Sequence, residues 1–218
     1  VTSSTAEQSF RLCAKASLFK IMIHYYTTPL EGVWELIPDV YSDSRGSFAE
    51  LLRMEEFYAK TSSQPFVQEN ESFSQRGVLR GMHLQHGKAS QAKLVRCVYG
   101  RVLDVIVDLR QGSPTFAQHL AILLDSEKKN RLFVPRGFAH GFLTLSKEAV
   151  FHYLVDAPYA PKSEIGITPF DSSLHLEWDQ WLLQYDTLSP RLSAEALILS
   201  DKDRRGISLN DYLTKLKN

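Results

Sequence analysis

The stretch Gly77-Val78-Leu79-Arg80-Gly81-Met82-His83-Leu84-Gln85 brings a cation and an imidazole into one short apolar run. A histidine can take up a proton near neutral pH, and an arginine beside it can hold an anionic group. A base next to an anion anchor suits proton abstraction from an acidic or phosphorylated small molecule. The alternative is a strand histidine that is merely hydrogen-bonded in a core. Further along, strand alternation places Val102, Asp104, Ile106 and Asp108 on one face. A carboxylate among Val and Ile is costly if buried without a partner, and an imidazole is a natural partner; an exposed face is the equal alternative. Tyr153 shares a face with Phe151 and Val155. That suits core packing first, and a general acid opposite His83 second. Lys93 opens another strand-like run. There it either stabilises an oxyanion or lets its stem lead the charge back to water.

These side chains need a scaffold of strands. Runs at Met22–Tyr26, Gly32–Pro38, Phe48–Leu52, Phe66–Phe73, Gly77–Gln85, Lys93–Tyr99, Val102–Leu109, Phe116–Leu124, Arg131–Pro135, Ala139–Leu145 and Glu148–Val155 are separated by Gly, Pro and Ser turns. The spacing predicts an all-β sandwich or jelly roll. Gly100-Arg101 between two β runs reads as a hairpin turn, and Met54–Lys60 as one short helix. From Trp178 the pattern turns acidic and Leu-rich, which predicts short helices closing an end of the barrel. Residues 1–21 read as an appendage, 22–204 as the domain and 205–218 as a helical tail.

With 25 Lys+Arg against 25 Asp+Glu, no global field favours nucleic acid or an anionic membrane, so any anion site is local. Cys13 and Cys97 offer neither a disulfide framework nor zinc spacing. No run reaches transmembrane length, the N-terminus lacks a convincing signal peptide, and a cytoplasmic protein is expected.

Pro135-Arg136-Gly137-Phe138-Ala139-His140 resembles the second cupin motif, whose histidine binds metal in metal cupins. The partner motif is not matched. His83-Leu84-Gln85-His86 would send its two rings to opposite faces of a strand, so no metal site is expected. A longer ordered set is similar to the nucleotide-sugar epimerases typified by dTDP-4-dehydrorhamnose 3,5-epimerase. It comprises Asp43–Glu50, Phe66–Asn70, Gly77–His83, Ala92–Arg96, Gly100–Arg110, Gly112–Phe116, Phe133–Phe142, Tyr159–Glu164 and Leu199–Asp203.

The resemblance, over residues 22 to 204, implies a cupin-type jelly roll with short C-terminal helices. It implies a homodimer with no metal or organic cofactor. The implied substrate is a nucleoside-diphosphate-linked 4-keto-6-deoxy sugar, epimerised at C3 and C5. The roles it implies are His83 as base, Asp203 and Asp104 as the carboxylates that orient it, Tyr153 as the acid on the opposite face, and Lys93 as an enolate-stabilising cation. Arg45, Phe48, Glu50, Gln68, Asn70, Arg80, His140, Tyr159, Glu164 and Lys202 fall on substrate-binding positions. Retaining Tyr153 favours action at C5. The chain departs from the family at Glu71, Phe73, Leu154, Pro169-Phe170 and the loop Gln85–Ser90, positions that bear on which sugar and nucleotide fit. The alternatives are a single-carbon epimerase or one acting on another nucleotide sugar, a metal-dependent cupin, and a non-catalytic sugar-binding cupin.

Overall fold

Alternating apolar residues become strands through most of the chain. The structure, a computed structural model, describes residues 22–217, so the 1–21 appendage and Cys13 lie outside the described residues. In chain order the elements are β1 (Ile23–Thr27), β2 (Trp34–Pro38), β3 (Tyr41–Asp43), β4 (Gly46–Phe48), α1 (Met54–Thr61), β5 (Gln68–Gln75), β6 (Leu79–Gln85) and β7 (Lys93–Tyr99). They continue with β8 (Arg101–Asp108), β9 (His119–Asp125), β10 (Arg131–Val134), β11 (Phe138–Thr144), β12 (Glu148–Val155) and β13 (Glu164–Gly166). Helices α2 (Trp178–Tyr185), α3 (Asp201–Arg204) and α4 (Leu209–Lys217) complete the chain.

Two antiparallel sheets form the jelly roll. One has six strands in the order β1-β2-β10-β7-β12-β5; the other has five, β13-β6-β11-β8-β9. Val95, Val102, Ile106, Leu132, Phe142 and Phe151 pack together between them. Strand β8 shows the logic. Val102 and Ile106 enter this inter-sheet core, whereas Leu103, Val105 and Val107 join a second core on the other face. There Trp178, Trp181 and Leu182 of α2 and Leu209 and Tyr212 of α4 cover the five-stranded sheet. The C-terminal helices therefore cover a sheet face and do not close an end of the barrel. The segment read as a tail contributes two buried residues, Leu209 and Tyr212, to that core. A third cluster places Phe57 of α1 over the outer face of the six-stranded sheet.

The hairpin expected at Gly100 does not form. β7 pairs with β10 and β12, and β8 pairs with β11 and β9, so Gly100 carries the chain from one sheet to the other. A sheet-crossing corner and a hairpin need the same tight Gly turn and the same flanking apolar runs. Only the partner strands distinguish them.

One irregularity positions the site. Across β11 and β6, His140 faces His83 and Phe142 faces Arg80, so two steps on one strand match three on the other. Such a bulge re-aims side chains. Strict alternation would send residues 80 and 83 to opposite faces; here Arg80 and His83 line the same cavity. The strands meet there through glycines. A β-carbon on Gly141 would lie 2.7 Å from both Arg80 O and Met82 Sδ, and one on Gly81 would lie 2.6 Å from the Gly141 Cα.

Gly141→Ala should therefore force the two strands apart. A loss of about 1–3 kcal/mol in urea unfolding is expected, with Arg80 and His83 displaced and activity lost with them. A Gly141→Ala protein of wild-type stability and activity would refute this account of the bulge.

Candidate functional site

A cavity of about 310 Å³ opens between the two sheets. Arg80 and His83 reach it from β6, and His140 from β11, all on the five-stranded sheet. Lys93 reaches it from β7 and Tyr153 from β12, both on the six-stranded sheet. The imidazole of His83 and the phenol of Tyr153 thus stand on opposite walls. Asp203 and Lys202 enter from α3. The concavity of the β3–β4 hairpin is larger, about 400 Å³, but its charged groups are only Asp43 and Arg45.

His83 Nε2 donates to Asp203 Oδ1 at 2.6 Å, which fixes the tautomer and leaves Nδ1 with the lone pair. Nδ1 is 4.0 Å from Glu164 Oε1, too far for a hydrogen bond. Asp203 is held in turn. Ser200, the N-cap of α3, accepts from the Asp203 N–H and donates from Oγ to Asp203 Oδ2 at 2.7 Å. Burial raises the Asp203 pKa, but hydrogen bonds from His83, Ser200 and the Gly81 backbone prevail and hold the carboxyl below its ordinary range.

The short helix α3 is pinned at both ends. Before it, Ile198 bridges Val78 at the entry to β6; after it, Ile207 bridges Ile167 next to β13. The close approach behind α3 requires glycine, because a β-carbon on Gly206 would lie 2.6 Å from Thr168 N.

Asp104 is fully buried, and its Oδ2 accepts from His140 Nε2 at 2.8 Å. It does not orient His83; the two carboxylates serve two different imidazoles. Burial opposes charge on both members of the inner pair. It holds the Asp104 carboxyl above, and the His140 imidazole below, their ordinary ranges, against the attraction between them. Lys93 stands beside this pair. Burial lowers its pKa to about 8, opposed by the charges of Asp104 and Glu164. Arg80 is oriented by Ser74 Oγ, which accepts from Nε at 3.0 Å, and by Phe73 O at 3.1 Å. Tyr153 is kept protonated, its pKa raised by burial and by Glu164 against the pull of Arg80.

The rim carries a second linked group. Glu164 Oε2 accepts from Lys202 Nζ at 2.6 Å and from Tyr159 Oη at 2.5 Å. The backbone N–H of Tyr159 donates to Gln68 Oε1, and Gln68 Nε2 donates to Asn70 Oδ1. Three expected binding residues are elsewhere. Arg45 pairs with Asp43 and is 89% exposed in its side chain. Phe48 is 60% exposed, and Glu50 binds Arg53 at 2.5 Å. None of them lines the cavity. Sequence reading passed over Ser200, although Ser-x-x-Asp before a helix is a capping signal, and over Ser74, which carries no such mark.

Among the described residues no three His, Cys, Asp or Glu groups come together in a way that could hold a metal ion. No helix among them is long and apolar enough to cross a membrane. What the site can do is acid–base chemistry on two sides of a bound molecule, beside cations that would stabilise an anion between them.

The model of the dTDP-4-dehydrorhamnose 3,5-epimerase family matches residues 27–211. A dTDP-4-dehydrorhamnose 3,5-epimerase from Escherichia coli K12 is 40% identical over 191 residues, covering 87% of this chain and 96% of the relative. A dTDP-4-dehydrorhamnose 3-epimerase from Streptomyces niveus is 38% identical over 187 residues, 85% of this chain and 87% of the relative. A crystal structure of the Legionella pneumophila dTDP-6-deoxy-D-glucose-3,5-epimerase, in complex with dTDP-4-keto-L-rhamnose, superposes with a TM-score of 0.76. It is 36% identical and covers 87% of this chain and 94% of that one. Matched along nearly its whole described length, the chain belongs to the dTDP-4-dehydrorhamnose 3,5-epimerase family.

Proposed function

We propose that this chain epimerises C3 and C5 of dTDP-4-dehydro-6-deoxy-D-glucose to give dTDP-4-dehydro-L-rhamnose. The observation that carries this reading is an imidazole with its tautomer fixed, His83–Asp203, across one cavity from a protonated phenol, Tyr153. Both carbons adjoin the C4 ketone, so removing either proton sends the C–H electron pair toward O4 as an enolate. His83 takes the proton on one face. Lys93, with the His140–Asp104 pair behind it, stabilises the charge on O4. Tyr153 gives a proton to the opposite face, the carbon inverts, and exchange with water returns His83 and Tyr153 to their starting forms. Asp203 stabilises the imidazolium formed on the way. Arg80 and the rim group of Tyr159, Glu164 and Lys202 hold the diphosphate and nucleoside.

The working form is a homodimer in which Arg45, Phe48 and Glu50 complete a partner's cavity. Among the described residues the β3–β4 hairpin pairs only with itself, and it carries an exposed aromatic and an exposed cation. Those are side chains suited to a nucleotide, placed where their own cavity does not use them.

The central experiment is incubation with dTDP-4-dehydro-6-deoxy-D-glucose in heavy water, read by NMR. Deuterium should enter at C3 and at C5. His83→Ala should slow both exchanges by about 10²–10⁴-fold, and Tyr153→Phe should impair product formation more than exchange. Label at one carbon only would make the protein a single-carbon epimerase, and near-normal exchange by His83→Ala would remove the proposed base.

The pH profile tests Lys93. Its ammonium is present below about 8 and lost above it, and kcat/KM reports the free enzyme. An alkaline limb near that pH is expected, absent in Lys93→Arg because guanidinium does not titrate there. A limb unchanged in Lys93→Arg would assign it to another group.

The shared site is tested by complementation. Inactive His83→Ala and impaired Phe48→Ala proteins, unfolded and refolded together, should regain activity through mixed dimers holding one intact site. No regain despite mixed dimers would place Phe48 outside the partner's cavity.

A further inference from the structure

The inner row of β5 holds a hydroxyl to which the proposed reaction gives no task. Residues 70, 72 and 74 of this strand project to one side. Their cross-strand partners on β12 are Tyr153, Phe151 and Ala149, and Phe151 and Ala149 are buried in the inter-sheet core. The row therefore faces the space between the sheets, and Ser72 lines the cavity of His83 and Tyr153. Its two neighbours in the row are engaged. Asn70 Oδ1 accepts from Gln68 Nε2, and Ser74 Oγ accepts from Arg80 Nε. Ser72 Oγ is buried and has no hydrogen-bond partner among the described residues.

The other polar side chains around the cavity have a partner or a place in the reaction. His83 and Ser200 bind Asp203, His140 binds Asp104, and Lys202 binds Glu164. Lys93 and Tyr153 serve the enolate and the inverted carbon. A buried hydroxyl with nothing to bond is costly, and in the wall of a substrate cavity it calls for a polar group on the bound molecule.

Which group that is follows from the order of the anchors, and this step rests on the substrate proposed above. Arg80 holds the diphosphate on C1, and Lys93 faces O4. Ser72 stands in its row between Asn70, the cross-strand partner of Tyr153, and Ser74, which holds Arg80. From C1 to C4 the sugar ring runs along two edges. The C5 edge offers a ring oxygen and a methyl group, neither of which donates. The C2–C3 edge offers two hydroxyls. The C3 hydroxyl changes face when C3 inverts, so a fixed bond to it would resist the reaction. The C2 hydroxyl keeps its configuration throughout, and a bond to it grips ground state and transition state alike. We infer that Ser72 is a specificity residue whose hydroxyl bonds the C2 hydroxyl of the sugar and so selects 2-hydroxy over 2-deoxy nucleotide sugars.

The experiment compares dTDP-4-dehydro-6-deoxy-D-glucose with its 2-deoxy counterpart in heavy water, read by NMR, for the wild type and Ser72→Ala. The wild type should favour the 2-hydroxy sugar by about tenfold to a hundredfold in kcat/KM. Ser72→Ala should lose most of that preference. Its kcat/KM should fall on the 2-hydroxy sugar, mainly through KM, and stay near the wild-type value on the 2-deoxy sugar. The ratio of exchange at C3 to exchange at C5 should not move, because O2 sits on neither carbon. The Tm of Ser72→Ala without substrate should equal or exceed the wild-type value, since a buried unpaired hydroxyl is gone. The inference is overturned if the wild type turns over both sugars equally, or if Ser72→Ala leaves both rates unchanged. It is also overturned if Ser72→Ala slows both sugars by the same factor, as a merely structural serine would. A loss confined to C3 would move the contact to the C3 hydroxyl and overturn the assignment to C2. A wild type that labels neither carbon of the 2-hydroxy sugar is a different failure: it removes the epimerase reading, and this inference with it.

Discussion

The hydrogen bond between His83 and Asp203 is the contact on which the rest of the arrangement depends. An imidazole that removes a proton from carbon must keep one nitrogen free and hold the other in a fixed role. Here that role is set by a carboxylate 120 residues further along the chain. Asp203 is in place because Ser200 caps α3 and because the chain on either side of that helix is stitched to Val78 and Ile167. Those bridges lie at the ends of β6 and β13, so His83 and its carboxylate belong to one mechanical unit. The C-terminal helices contribute to this indirectly. By covering the outer face of the five-stranded sheet they build a two-sided core, and that core fixes the strand carrying His83.

A second requirement shapes the opposite wall. Proton removal and return on opposite faces of a ring need donor and acceptor on different sides of the bound molecule. A sandwich of two sheets supplies this at no extra cost, since side chains from the two inner faces confront one another across the inter-sheet space. His83 and Tyr153 stand on those two facing walls. The β6–β11 bulge adds Arg80 to the same cavity, and the inner pair His140–Asp104 sits beside Lys93. Burial disfavours charge on His140, Asp104 and Lys93 alike, so a negative charge developing near Lys93 would relieve part of that penalty.

Much of this was legible in the residues. Strand runs, turn glycines and the ordered motifs gave the jelly roll, and His83, Lys93, Asp203 and Tyr153 share one cavity as their motifs implied. The failures have physical causes. Asp104 could not be placed by alternation because β8 is buried on both faces, which removes the contrast that periodicity reads. Its assignment to His83 failed because two His–carboxylate pairs lie side by side and a sequence cannot say which carboxylate meets which ring. The corner at Gly100 looked like a hairpin because partner strands are not written locally. Arg80 and His83 share a face only through a register shift, and no one-strand rule reports that.

The size of the cavity bears on how much of a substrate one chain encloses. Ligand pockets span roughly 300–1,000 Å³, and about 310 Å³ between the sheets is at the small end of that range. That volume suits a hexose ring. Through Lys202 it runs on to the rim, where Tyr159, Glu164 and Lys202 are linked and partly open to water. A half-open rim binds a flexible diphosphate poorly, because water competes for every phosphate oxygen. The exposed hairpin of one chain carries the aromatic face of Phe48 and the guanidinium of Arg45, paired with Asp43, at its surface. In the proposed dimer, bringing these two surfaces together would remove water from both and supply part of the substrate site.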